Sequence, residues 1–262
     1  MGNLEGRIAL VTGSSRGIGE YMAKYLSQAG AKVAIAARTT EVTDKRLPGT
    51  IYSVANEIRE EGGVATSIKM NMRDPISISD GISQTVEELG GLDIVVNNAA
   101  ILVPGSLSTI QEKHIDLIWQ IDLRGPLLLM KHALPHLREK EVSDIINVSS
   151  IAAVFPGPGP YEEDSKRREG SFYGMVKAGL ERFSQGLARE LQSDKVKVNI
   201  LSPQGRISTP GNMWADNDSD NPNLEFEEAS EMGKAGVWIC EQPHSYTGNI
   251  LYDQEVCRAK NL

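Results

Sequence analysis

Thr12-Gly13-Ser14-Ser15-Arg16-Gly17-Ile18-Gly19 is the stretch that decides how this chain folds. The apolar run before it, residues 7–11, reads as a buried strand. After it, Ile18, Met22, Tyr25, Leu26 and Ala29 recur at helical spacing. Strand, glycine turn and helix in that order make a place to bind phosphate. Glycine permits the tight turn and lets a diphosphate approach the backbone, while the first amides of the helix and its positive dipole end face the anion. Three glycines alone also occur in ordinary turns; the strand before and the helix after give these their meaning.

Outward from that loop, strand-like and helix-like patterns alternate. Residues 32–37, 65–70, 92–96, 144–148 and 196–201 read as further strands. Residues 51–61, 76–89, 112–137 and 172–191 read as helices, the third of these long and amphipathic. Short strands too apolar to face water, separated by helices, predict a parallel sheet covered on both faces. Right-handed crossovers then give a Rossmann-type doubly wound α/β fold, with ligands at the C-terminal ends of the strands. Nothing in the middle of residues 1–262 looks like a linker, so a single domain is expected. Three segments break the rhythm: the polar 39–50, the Pro/Gly-rich and then charged 155–170, and the acidic 211–228. Each follows a predicted strand, where loops over a ligand or plain surface insertions would lie; 211–232 is expected to be a substrate lid.

Composition narrows the functional classes. A formal charge of −8 at pH 7 without a basic cluster argues against a nucleic-acid surface. No apolar run approaches the about 18 residues that cross a bilayer, and residues 1–6 lack the apolar core of a secretion signal. Cys240 and Cys257 form neither a disulfide framework nor a metal-ligand cluster, and His114, His132, His136 and His244 show no ligand spacing. These features predict a cytoplasmic protein with no membrane partner and no catalytic metal.

Chemistry is suggested by Tyr173 and Lys177, which share one face of a helix at i, i+4. An ammonium beside a phenol favours the phenolate, so such a tyrosine can exchange a proton with an alcohol or ketone, which a free phenol (pKa about 10) does poorly at neutral pH. The spacing is common by chance and gains weight from the nucleotide loop. Ser149 and Ser150 end the strand 144–148 and offer a hydroxyl to a substrate oxygen, or merely cap the strand end.

Taken together, Thr12–Gly19, Asn97-Asn98-Ala99-Ala100, Ser149-Ser150, Tyr173–Lys177 and the run from Pro203 to Thr209 resemble the short-chain dehydrogenase/reductase family over nearly the whole chain. The resemblance implies an oxidoreductase that moves hydride between a nicotinamide cofactor and a secondary alcohol/ketone pair. Tyr173 would be the acid/base, with Lys177 lowering its pKa and holding the nicotinamide ribose. Ser150, which directly precedes Ile151-Ala152-Ala153, would orient the substrate. Gly13, Ser15, Gly17, Ile18, Gly19, Asn71, Met72, Asn98, Ile207 and Thr209, with Tyr173 and Lys177, would lie along the cofactor. Ala37 stands where an NAD-binding carboxylate would be. Arg38 follows it and Arg16 lies in the glycine loop, so two guanidiniums suit the 2′-phosphate of NADP.

The chain departs from the family pattern in places. Asp122 replaces the usual asparagine of a water chain reaching Lys177, and its charge is expected to pair with Lys177. Asn71 replaces an aspartate that commonly contacts adenine. The interval from Ser150 to Tyr173 is longer than usual and contains Tyr161, which has Ser165 rather than a lysine four residues on; Gln204 stands where Pro-Gly is usual. Residues 47–52, Leu-Pro-Gly-Thr-Ile-Tyr, and 246–249, Tyr-Thr-Gly-Asn, are similar to a subgroup of hydroxysteroid-dehydrogenase-like proteins. Ile101, Leu102, Val103, Val154, Phe155, Met213 and Trp214 are candidates to line a pocket for a hydrophobic carbonyl compound, or to serve as core or dimer contacts. The helices at 112–137 and 172–191 resemble the family's dimer face, which implies a homodimer or homotetramer. Two other readings stay open: a cofactor-binding regulator with little turnover, and an NAD-dependent alcohol dehydrogenase.

Overall fold

The computed structural model describes residues 3–161, 170–215 and 227–262, with 213–215 described in backbone only. Strand β1 (Ile8–Thr12) is buried throughout, and its side chains alternate between two cores. Leu10 points into one core; Ala9 and Val11 point into the other. Strands β2 (Lys32–Ala37), β3 (Ala65–Lys69), β4 (Ile94–Asn97), β5 (Ser143–Val148), β6 (Val196–Ser202) and β7 (Ile250–Tyr252) join it in one parallel sheet of order β3-β2-β1-β4-β5-β6-β7. The order reverses between β1 and β4, which opens a crevice beyond their C-terminal ends.

Helices cover both faces because the central strands carry apolar residues on both sides. Helices α1 (Gly17–Gln28) and α2 (Ile51–Glu60) pack on the Ala9/Val11 face. Helix α3 (Pro75–Leu89) packs on the Leu10 face, where α4 (Glu112–Ile118), α5 (Gly125–Leu137) and α6 (Ser171–Glu190) add Ile118, Leu129, Met130, Val176 and Leu180. Helix starts follow local chemistry. The Thr50 hydroxyl accepts from the Ser53 amide at 3.0 Å while the Ser53 hydroxyl accepts from the Thr50 amide at 2.9 Å. Asp74 caps α3 by accepting from the Ile76 amide at 2.9 Å, ahead of Pro75. Each such cap is worth about 1 kcal/mol.

Two buried polar groups bridge the sheet. Asn97 on β4 lies opposite Asn147 on β5 and donates its side-chain amide to the Asn147 carbonyl oxygen at 2.7 Å; Asn147 donates onward to the Ser184 hydroxyl at 2.7 Å. At the other end of the strands, Arg7, Asp144 and Lys197 form an ion triad, with Asp144 and Lys197 fully buried.

The sheet and its helical cover agree with the fold expected from the sequence, with local corrections. Residues 112–137 are not one regular helix: a π turn at Trp119–Arg124 separates α4 from α5. The fourth strand begins two residues later than read, at Ile94. Of the segment expected as a lid, 210–215 forms α7 (Pro210–Ala215) and 216–226 lies outside the described residues. Ala229 and Met232, at its far end, are buried at the start of α8 (Ser230–Glu241). Helix α8, strand β7 and helix α9 (Asp253–Lys260) complete the C-terminal part.

Candidate active site

The C-terminal ends of β1, β4, β5 and β6 open into one cleft of about 910 Å³. The glycine loop forms one wall. Ser14 ties this loop to β2: its hydroxyl donates to Val11 O at 2.7 Å and accepts from the Ala36 amide at 3.0 Å. Gly13 sits at φ +68°, and a Cβ there would lie 2.7 Å from Ala99 Cα, so only glycine lets β1's loop touch the end of β4. Asn98 makes the joint from the other side, donating to Thr12 O at 2.9 Å and Gly13 O at 3.3 Å. Helix α1 starts without a side-chain cap, so its first amides remain for a ligand at the loop.

Of the residues the sequence singled out for a cofactor, Gly13, Ser15, Arg16, Gly17, Ile18, Arg38, Asn71, Met72, Asn98, Ile207 and Thr209 all line the cleft. Gly19 does not; it is buried inside α1. Among the described residues, the Arg38 guanidinium has no hydrogen-bond or ion-pair partner and stands exposed on the rim. Arg16 differs from the expectation of a free cation: its Nε donates to Pro48 O at 2.9 Å and one Nη to Gly49 O at 3.0 Å.

Ser150, Tyr173 and Lys177 enter the same cleft from β5's end and α6. Lys177 is 3% exposed; its Nζ donates to Val148 O at 2.9 Å and lies 5.6 Å from the centre of the Tyr173 ring. The two serines differ in use. Ser149 is buried and donates to Glu181 Oε1 at 2.6 Å, whereas Ser150 is half-buried and, among the described residues, its hydroxyl accepts only the Ala152 amide at 3.2 Å. Tyr161 is exposed and donates to Gly157 O at 2.7 Å. The aromatic and aliphatic candidates divide. Ile101, Leu102, Val103 and Phe155 line the cleft, Val154 is exposed and does not, and the side chains of Met213 and Trp214 lie outside the described residues.

Asp122 sits in the π turn behind the cleft, fully buried. Its Oδ1 accepts the Ile101 amide at 2.9 Å, and its Oδ2 has no partner among the described residues. The expected direct pairing with Lys177 does not form; the ammonium acts on Asp122 only through space. Burial pushes the Asp122 carboxyl up to about 6, against the pull of Lys177's charge and the Ile101 amide. Glu181 went unread in the sequence, although it follows Lys177 at i+4 on the same helical face. Burial raises its pKa, opposed by the Ser149 hydroxyl and the charge of Lys177.

Residues 7–220 match the short chain dehydrogenase family. This chain belongs to that family. Among curated relatives, the hydroxysteroid dehydrogenase-like protein 2 of Danio rerio is 34% identical over 272 residues and that of Bos taurus 32% over 263 residues, in line with the subgroup resemblance of residues 47–52 and 246–249. This chain is covered completely by both alignments and spans 60% of each relative's length. Among solved structures, a short chain dehydrogenase of Mycobacterium thermoresistibile superposes with a TM-score of 0.83 at 31% identity, covering 99% of this chain and 89% of the other. One from Burkholderia cenocepacia, solved in complex with NADP, gives 0.78 at 30% identity, covering 95% and 96%. Among the described residues no helix is long and apolar enough to cross a membrane.

Proposed function

We propose that this chain is an NADP(H)-dependent oxidoreductase that interconverts a secondary alcohol and a ketone. The observation that carries this reading is the joining, in one cleft, of an uncapped helix N-terminus behind a glycine loop, an Arg38 without a partner among the described residues, a Tyr173–Lys177 pair and Ser150. The residues present fit a dinucleotide: amides at the loop suit the diphosphate, and Arg38 suits a 2′-phosphate with no carboxylate nearby on β2 to repel it. When bound, a nicotinamide dinucleotide supplies the hydride. The protein then manages the proton. In reduction, the Ser150 hydroxyl would hydrogen-bond the carbonyl oxygen while Tyr173 Oη gives it a proton; in oxidation Tyr173 takes that proton back. Lys177, held by Val148 O, places its ammonium beside the phenol ring. Leu102, Val103 and Phe155 favour a hydrophobic substrate. Exposed Trp119, Met175 and Phe183 on the α4–α6 side are consistent with a homodimer or homotetramer. Following nicotinamide absorbance over a panel of ketones with NADPH and alcohols with NADP tests the reading; tight binding without turnover on any of them would replace it with a regulatory role.

Cofactor choice has its own test. Replacing Arg38 with methionine removes one charge-assisted phosphate contact, so NADPH should bind about 10- to 100-fold more weakly while NADH changes by less than about threefold. Calorimetric titration of both nucleotides reads this, and equal losses for the two would count against a 2′-phosphate contact.

Asp122 predicts a pH dependence. Its carboxyl titrates at about 6 in the fold against an ordinary 3.8, so the fold favours the neutral acid. The stability this contributes is complete below about 4 and is lost as pH rises through about 6. Asp122→Asn keeps the acceptor for Ile101 and places an amide at the unpartnered oxygen. The variant should therefore be more stable than the parent at pH 8 by up to about 3 kcal/mol, with the gap closing by pH 4. Urea denaturation across that range measures it. The rate–pH curve should also lose an inflection near 6; an unchanged curve would show that Asp122 does not act on the proton path.

A further inference from the structure

The polar segment between β2 and α2 is folded down onto the glycine loop. Arg16 reaches it with two donors, one to Pro48 O at 2.9 Å and one to Gly49 O at 3.0 Å. Gly49 has φ +93°, and a Cβ there would lie 2.3 Å from Ser15 O, so the two backbones touch. The Ile51 amide donates to Thr39 O at 3.0 Å, which closes the base of the segment. Within it, Leu47 donates its amide to Asp44 O at 3.0 Å, and Asp44 pairs with Arg46 at 2.7 Å. Thr39 and Leu47 then line the cleft beside Arg38, at the end where β2 stops.

We propose that Arg16 is a positioning residue: it braces residues 39–50 closed as one wall of the dinucleotide site, and Arg38 alone selects the 2′-phosphate. This rests on the dinucleotide reading above. A guanidinium fork matches two neighbouring carbonyls, and donors engaged there are not aimed at a phosphate. A brace acts on every dinucleotide alike. If the wall is closed for a fraction f of the time, the apparent Kd of any ligand that needs it is Kd/f. A phosphate grip acts on NADPH alone.

The full chain distinguishes these by calorimetric titration with NADPH and with NADH, and by brief trypsin digestion without nucleotide. Exposed Lys45 and Arg46 put two cleavage points inside the segment. Arg16→Met should raise both Kd values about tenfold, leave their ratio within about twofold, and speed cleavage after Lys45 and Arg46. Gly49→Ala changes no charge and attacks the same contact from the other side, so it should reproduce all three effects. The double variant should be little worse than either single. Arg16→Lys, able to reach one carbonyl, should recover part of the loss. Arg38→Met should shift the ratio without altering cleavage. A loss confined to NADPH in Arg16→Met, or unchanged cleavage and affinity in both single variants, would overturn the brace. If the parent chain binds neither nucleotide, the dinucleotide reading fails, and faster cleavage in Arg16→Met and Gly49→Ala still decides whether the brace exists.

Discussion

Tyr173→Phe should cut turnover by about 10²- to 10⁴-fold while leaving NADPH affinity within about twofold. The substitution deletes one oxygen and keeps the ring that lies 5.6 Å from the Lys177 ammonium. Ser150, Lys177 and the glycine loop keep their places, since the Tyr173 hydroxyl makes none of the contacts that hold them. Only the proton transfer is removed. Because the hydride remains available, the loss should fall on kcat rather than on nucleotide binding, a split that a general disturbance of α6 would not produce. Tyr161→Phe is the matching control. Its hydroxyl is spent on Gly157 O at 2.7 Å at an exposed position, and turnover should be unaffected. Retained activity in Tyr173→Phe, or its loss in Tyr161→Phe, would move the proton donor elsewhere.

Lys197→Met should cost about 3–5 kcal/mol and lower Tm on the order of 10 °C. Lys197 is 0% exposed, and its one ammonium does two jobs. It lies 3.0 Å from Asp144 Oδ1, and it donates to Ile239 O at 3.1 Å, Cys240 O at 3.3 Å and Gln242 O at 2.6 Å. Those carbonyls end helix α8, where the dipole is negative, so a cation there is favoured twice. Methionine has nearly the same reach and no donor. It leaves the carbonyls without that donor and Asp144, among the described residues, with only Arg7, at 2.7 Å, as counterion. Removing the carboxylate as well, in Lys197→Met/Asp144→Leu, relieves the unbalanced charge, so the double variant should fall short of the sum of the singles. Urea unfolding of the four proteins measures this, and strict additivity would show that the ion pair is energetically inert. The triad lies at the opposite end of the strands from the cleft, so nucleotide affinity of the folded fraction should not change.

Much of this was legible in the sequence because apolar periodicity reports burial directly. Strand β2 coincides with its predicted range, and α1, α2 and α6 lie within one residue of theirs at each end. The π turn was not legible. A turn with i→i+5 bonding adds one residue without breaking the apolar pattern, so 112–137 still reads as one amphipathic helix. Yet Asp122 lies within that turn and is fully buried there. The C-terminal elements were missed for another reason: β7 has three residues, all half-buried, and half of α9 is charged, so neither carries a strong period. At the site, residue type gave the chemistry, and contact gave the partners. Arg16 and Arg38 look alike as cations in a row of letters. What separates them is the carbonyl pair of Pro48 and Gly49, whose position depends on a glycine at positive φ.

The paired side chains of Asn97 and Asn147 work as a ruler. Backbone ladders between parallel strands repeat every two residues and so tolerate a shift by that step, since apolar side chains would merely exchange apolar neighbours. The two buried amides do not tolerate it: one step either way sets Asn97 opposite Ile145 or Ser149 and Asn147 opposite Ala99 or Val95, which breaks the bond between them. The strands β4 and β5 are thereby fixed at equal height, and the residues that follow them inherit that alignment. Asn98, which meets the glycine loop, and Val148 to Ser150, which enter the cleft from the next strand, directly follow the two amides, so the level of the cleft floor is set by a buried contact immediately beneath it.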